Sequence, residues 1–205
     1  MRTKQKPTLS RGAWSLSALL MLSVFLTGCG INNIPTYDEQ VKSAWSQVEN
    51  QYQRRADLVP NLVETVKGFA RQEKETLTAV VEARAKATSI QVDASILDDP
   101  QKLQQFQQAQ TQLTGALSRL MAVSERYPQL QSNQNFLALQ SQLEGTENRI
   151  TVARRDFITA VKRYNTEIRT FPGRIWHSLL YSDLALRENF EATADNADQA
   201  PQVKF

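Results

Sequence analysis

From Val41 to Ile168 the apolar residues of this chain recur in steps of three and four, and nowhere do they alternate at a period of two. The first run is Val41, Ala44, Trp45, Val48, Tyr52 and Ala56, and the second continues at Val59, Leu62, Val63, Val66, Phe69, Ala70, Leu77, Val80 and Val81. A third is Leu103, Phe106, Ala109, Leu113, Leu117 and Leu120, and a fourth is Phe136, Leu139, Leu143, Ile150, Phe157, Val161, Tyr164 and Ile168. Such spacing lines up one face of an α-helix and is incompatible with a half-buried strand. Prolines at 35, 60, 100, 128, 172 and 201 punctuate the runs, and proline inside a helix costs a backbone bond and a clash with the preceding turn. The pattern predicts an all-α chain, an up-and-down four-helix bundle over residues 37–171, with an irregular C-terminal tail over 172–205.

The joints follow from local chemistry. Residues 30–36 read as a short polar tether. Asp57 with Pro60 is either a tight turn between two helices or a kink in one long helix; the turn is preferred, since Asp57 can cap and Pro60 fits a first helical turn. Val92–Asp99 reads as a loop from its aspartates, Asp99-Pro100 as the start of the next helix, and Ser132 or Asn133 as the cap of the last one. Seven glutamines in residues 101–112 keep helical spacing around Leu103, Phe106 and Ala109, as a solvated helix face would. Gly68, Gly115 and Gly145 fall within helices, where close approach of a neighbour or a local kink would account for them. Trp45, Phe69, Phe106, Leu139, Phe157 and Tyr164 are the expected core.

The first 29 residues carry a different signal. Arg2, Lys4, Lys6 and Arg11 precede an uncharged stretch of 17 residues from Gly12 to Gly28, which ends in Leu26-Thr27-Gly28-Cys29. A basic start, an apolar core and a small-residue cleavage point make an export signal. Leu26, Thr27, Gly28 and Cys29 resemble the lipobox of bacterial lipoproteins. The resemblance implies a signal peptide at 1–28, a diacylglycerol on the Cys29 thiol, and an acyl chain on its new N-terminus. Two or more chains hold a protein stably where one is marginal. The alternative is an uncleaved single-pass helix, for which 17 residues fall short of the ~20 needed. Gly30 after the cysteine, by resemblance to sorting rules, points to the periplasmic face of an outer membrane over an inner one in a cell with two membranes.

Removing four basic residues with the signal leaves 20 Lys+Arg against 21 Asp+Glu, a net charge of −1. No nucleic-acid partner is expected without a basic stripe. About 175 residues remain, enough for one domain with its own core. The one cysteine being lipidated, neither disulfides nor thiol catalysis is expected, and His177 as the single histidine argues against a metal site.

Polar residues gather at two places: Arg54, Arg55, Asp57, Asn61 and Glu64 around the first joint, and Glu144, Glu147, Asn148, Arg149, Arg154 and Arg155 on the fourth helix. Glu147 lies between Leu143 and Ile150, so it is expected to face inward. There a carboxylate needs a partner, expected to be Arg54 or Arg55. The cluster reads as either an acid/base site or an ion-pair network fixing helix register. The network is preferred, because no second catalytic group, phosphate loop or serine elbow accompanies it.

The runs Ala44-Trp45-Ser46-Gln47-Val48 and Arg54-Arg55-Ala56-Asp57-Leu58-Val59-Pro60-Asn61-Leu62-Val63-Glu64-Thr65-Val66-Lys67-Gly68 resemble the signature of the LemA family. Glu73-Lys74-Glu75-Thr76-Leu77, Arg126-Tyr127-Pro128, Thr146-Glu147-Asn148-Arg149-Ile150, Tyr164-Asn165, Phe171-Pro172 and the ending Phe190-Glu191-Ala192, Ala200-Pro201, Phe205 are similar as well. The resemblance spans essentially all the chain beyond the signal. It implies a helical bundle on an N-terminal membrane anchor, without an assigned catalytic activity and sometimes linked to membrane-protein quality control. Gln72 stands where relatives often have histidine, and Phe157-Ile158 follow Asp156 where they often have Tyr-Asn. The expected function is a non-enzymatic envelope lipoprotein, a scaffold or adaptor for another envelope protein. A small-ligand binder or enzyme built on Glu147 and its arginines is the first alternative, and a self-assembling coiled-coil lipoprotein the second.

Overall fold

Helix α1 (Asn33–Phe69) is 37 residues long and runs unbroken through Pro60. It belongs to a computed structural model of the chain that describes residues 30–90 and 93–190. The turn expected at Asp57–Pro60 is therefore absent. Proline has no N–H for the carbonyl four residues back, and that orphan, the Ala56 carbonyl, instead accepts from Arg84 Nε at 2.8 Å. With its lost bond replaced from a neighbouring helix, α1 keeps Val59, Leu62, Val63 and Val66 in phase with Val41, Trp45 and Val48 on one buried stripe.

The expected tether over 30–36 is also corrected. The helix starts at Asn33 and Ile34 is fully buried; Pro35 sits in the first turn, where its missing N–H has no intrahelical role. The chain instead turns after Ala70, and α2 (Lys74–Ser89) runs back along α1. A 3₁₀ helix (Ala94–Asp98) occupies the segment expected to be a loop. Asp93 accepts from Ser95 N at 2.9 Å to start it, while Ile96 and Leu97 are fully buried. The aspartates drew attention to the turn and away from those two anchors.

Helix α3 (Pro100–Ser124) begins where Asp99 accepts from the amides of Gln101 and Lys102 at 3.0 and 3.1 Å. A single turn, α4 (Pro128–Gln131), leads to α5 (Gln134–Arg169), which Asn133 caps through Phe136 N at 3.0 Å. Helix α6 (Gly173–Leu180) closes the helical part, and residues 181–190 follow without regular structure. Six α-helices and no strand occur among the described residues, an all-helical bundle. The long α1 and α5 lie antiparallel, joined near one end by Asn33 Nδ2 to Glu167 Oε1 at 3.1 Å and midway by Arg55 to Glu147. The α2–α3 hairpin covers the other side, its far end tied by Tyr127 to Glu73 Oε1 at 2.9 Å.

Two apolar clusters fill the bundle. One gathers Val59, Leu62, Val66, Leu77, Val80, Leu113, Leu120, Leu130 and Phe136. The other centres on Trp45, whose ring meets Phe106 and Phe157 edge-on with centroids 5.7 and 5.3 Å apart, a favoured aromatic geometry. Trp45, Phe106, Phe157 and Tyr164 are buried as expected. Phe69 is not, at 41% exposed: Ala70 takes the inner position at the end of α1 and turns Phe69 outward. Leu139 is only half-buried. A Cβ added to Gly68, Gly115 or Gly145 would meet nothing within 4 Å, so close helix approach does not explain these glycines.

Candidate functional site: a buried arginine beside an open groove

Arg55 sits between the two apolar clusters, 1% exposed. Its stripe position on α1 drives the long stem inward, and two other helices, α3 and α5, supply acceptors for the guanidinium. One terminal nitrogen donates to Glu147 Oε1 at 2.7 Å and Thr114 Oγ1 at 2.9 Å; the other donates to Gln110 Oε1 at 2.5 Å and the Gln110 carbonyl at 3.3 Å. The Tyr52 ring lies 5.0 Å from the guanidinium carbon, within cation–π range. Only Nε lacks a hydrogen-bond partner. The arginine thus ties α1, α3 and α5 together at mid-height.

Glu147 is its ion-pair partner, but its side chain is 43% exposed and not on the buried line. Thr146, fully buried, holds the position between Leu143 and Ile150. Both 143–146–150 and 143–147–150 satisfy steps of three and four, and the bundle takes the less costly residue inside. Of the other polar candidates Arg154 comes near, its charge acting on the Tyr52 hydroxyl. Arg54, Asp57, Asn61 and Glu64 are exposed; Asp57 accepts from Gln53 at 2.8 Å, and Glu64 pairs with Lys67 at 3.1 Å. Arg154 also stacks 4.3 Å over the Phe190 ring. Among the described residues no group of three or more His, Cys, Asp or Glu side chains is placed to hold a metal. Cys29, with Leu26, Thr27 and Gly28, lies outside the described residues.

Alongside the network runs a groove of ≈ 580 Å³ between α3 and α5. Leu117, Met121 and Leu143 supply apolar lining, and Thr114, Glu144, Glu147 and Asn148 supply polar lining. Arg55 and its acceptors close off one side of the apolar interior next to it.

A second polar cluster escaped the sequence reading. Arg187, in the irregular segment after α6, is buried, and donates to Asp38 Oδ1 from Nε at 3.0 Å and from a terminal nitrogen at 2.7 Å. Its remaining nitrogen pairs with Asp98. Asn165 clamps the Arg187 backbone through both its carbonyl and its N–H, at 2.9 and 3.0 Å, and Tyr164 OH donates to the Ala185 carbonyl at 2.9 Å. Burial by itself would raise the Asp38 pKa, but hydrogen bonds from Lys42 and Arg187 outweigh it and hold the carboxyl below its ordinary value. Burial pushes the Tyr164 hydroxyl up to about 12. Beyond the clasp, Phe190 packs between Trp45 and Phe157, centroids 5.9 and 5.3 Å away. Asp38 carried a signal, being a charge in phase with Ile34, Val41 and Trp45; Arg187 carried none, because an aperiodic segment has no face to read.

These features define a class: an antiparallel helical bundle, cross-braced by buried arginines, with its C-terminal segment packed into the same core. The LemA family model matches residues 44–205, and the chain belongs to the LemA family. The match includes Arg55, Glu147 and Arg187 and leaves Asp38 just outside. Two magnetosome proteins of Paramagnetospirillum magneticum, MamQ 1 and MamQ 2, are each 27% identical over 194 residues, covering 83% of this chain and 70% of theirs. Protein LemA of Metamycoplasma hominis is 22% identical over 140 residues, covering 68% of this chain and 60% of its own.

Proposed function

We propose that the protein is a membrane-anchored envelope lipoprotein of non-enzymatic character, a scaffold or adaptor whose bundle receives another envelope protein in the α3–α5 groove. The observation that carries this reading is the closure of the Arg55 network. Both terminal nitrogens of the buried guanidinium are satisfied by Glu147, Thr114 and Gln110 of the same chain. A site for proton transfer needs an acid or base within reach of a substrate atom, whereas this pair is spent on bracing helices. The groove beside it presents Leu117, Met121 and Leu143 amid polar side chains, an apolar centre with a polar rim such as protein interfaces have.

The anchor half of the proposal rests on the basic start, the 17 uncharged residues and Leu26-Thr27-Gly28-Cys29. No helix of the described residues is long and apolar enough to cross a membrane, so attachment falls to the segment before Gly30. The covalent group would be a diacylglycerol with an acyl chain on Cys29, on the extracytoplasmic side, and in a two-membraned cell on the periplasmic face of the outer membrane. A role in membrane-protein quality control is one setting such an adaptor could serve.

A small-ligand reading is kept alive by one observation, that Glu147 itself lines the groove. Photo-crosslinking separates the two. A photoreactive residue at Ser118 in the anchored full chain should form one dominant protein adduct, abolished by replacing the exposed groove residue Asn148 (Asn148→Arg) in a protein that remains folded. An absent adduct, with a small molecule retained in a Glu147-dependent manner, would favour the ligand-binding reading instead. For the anchor, Cys29→Ser should abolish fatty-acid labelling and block processing; unchanged mass and unchanged membrane partition would mean an uncleaved helix.

A further inference from the structure

Ten large hydrophobic side chains are exposed among the described residues, and five of them fall between Phe171 and Leu186. Helix α6 is responsible for most of this. It packs inward through buried Gly173 and half-buried Trp176 and His177, the imidazole Nε2 lying 2.8 Å from the Leu184 carbonyl. Its outer side would ordinarily be polar. Instead Ile175 and Leu179, one turn apart, are 45% and 68% exposed, Leu180 beside them is 55% exposed, and Phe171 just ahead of the helix is 83% exposed. Arg169 and Arg174 are exposed on the flanks.

This apolar face stands at the end of the bundle where the chain enters. Glu167 fixes the geometry: its carboxylate accepts from Asn33 at the start of α1, and its backbone lies so close to Gly173 that any side chain there would collide with it. The entry of α1, the exit of α5 and the start of α6 therefore meet at one residue. Cys29 lies four positions before Asn33, so the chain between them spans at most ~14 Å. Whatever holds the segment before Gly30 in a bilayer brings the bilayer to α6.

We infer that α6 is an interfacial helix, its Ile175–Leu179 face and the Phe171 side chain just ahead of it set into the lipid headgroup and acyl boundary while Arg169 and Arg174 meet anionic headgroups. The inference rests on the membrane anchor proposed above and adds a second, non-covalent attachment to it. An amphipathic helix lying in the interface gains from buried apolar area and from basic residues near anionic lipid. An unpartnered apolar face of this kind on a protein held at a membrane is the surface such a gain requires. Docked in this way, the bundle stands upright on the membrane. The α1–α5 pair, ~55 Å long at 1.5 Å per residue, carries the far end at α4 away from it.

The test uses the full chain, produced with its anchor and placed on vesicles of phosphatidylethanolamine with a minority of phosphatidylglycerol. An environment-sensitive thiol probe is attached at Leu179→Cys or, as the distal control, at the exposed Gln131→Cys; the parent protein should take no probe if Cys29 is lipidated. All variants should float with the vesicles. The Leu179→Cys probe should shift to the blue and be quenched by spin-labelled lipid, the Gln131→Cys probe should do neither, and adding Phe171→Ser with Ile175→Ser should remove the quenching while flotation persists. Flotation without quenching at Leu179→Cys, or quenching indifferent to the serine substitutions, overturns the inference and leaves the anchor intact. A protein that does not float overturns both. A blue shift in the absence of vesicles, together with sedimentation as a dimer, assigns the face to a second copy and overturns it as well.

Discussion

Replacing Arg84 with alanine removes the donor that Pro60 makes necessary. The Ala56 carbonyl then loses its 2.8 Å bond and is left part-buried with no N–H at position 60 to replace it. Leaving such an acceptor unsatisfied costs ~1–3 kcal/mol, which for a domain of this size lowers Tm by about 2–4 °C per kcal/mol. The expected loss is therefore about 2 kcal/mol in chemical denaturation of residues 30–205 followed by far-UV circular dichroism. The same substitution made on Pro60→Ala should cost almost nothing, because the restored amide can bond to the Ala56 carbonyl. The two changes should thus be coupled by ~1–2 kcal/mol, within the range for groups sharing a partner. If Arg84→Ala costs the same in both backgrounds, Arg84 is stabilising by packing alone, and the explanation for the unbroken α1 fails.

Three further outcomes are expected. Asp38 is held below its ordinary value of 3.8, so the unfolded chain takes up the proton first: its contribution is complete above about pH 4 and is lost as the pH falls through that value toward the folded pKa. Asp38→Asn should flatten the acid limb of a stability–pH curve. Tyr164 behaves oppositely, its folded pKa of about 12 lying above the ordinary ~10; it should contribute a decline in stability from about pH 10 upward, on the order of 1.4 kcal/mol per pH unit. Tyr164→Phe should lessen the decline, leaving the part due to buried Tyr52, whose hydroxyl burial also pushes up. Gly115→Ala places a Cβ in open space within α3 and should stabilise the protein by about 0.5–1 kcal/mol in the same denaturation assay.

What could be read from the sequence was local. The period of three and four marked the long helices, and Asp99 and Asn133 were legible as caps because a cap acts within three residues of itself. The continuity of α1 was not legible, since it depends on Arg84, which is 28 positions from Ala56. The Asp38–Arg187 clasp joins residues 149 positions apart, one of them in a segment without periodicity. Glu147 shows a subtler limit. At 3.6 residues per turn a buried line can pass through position 146 or 147, and only the competition between a threonine and a carboxylate for the dry position decides it.

In the proposed function Arg55 and Glu147 brace the bundle and perform no chemistry. Glu147→Gln, with stability and the Ser118 crosslink measured on the same preparation, tests this most directly. Stripping a fully buried arginine of its carboxylate can cost 3–5 kcal/mol. Glutamine keeps one acceptor and the carboxylate is 43% exposed, so the loss expected here is discounted to ~1–2 kcal/mol. A bracing pair gives that loss, with the crosslinked adduct undiminished in the folded fraction. A variant as stable as the parent that no longer forms the adduct would contradict it, and would make Glu147 part of the recognition surface.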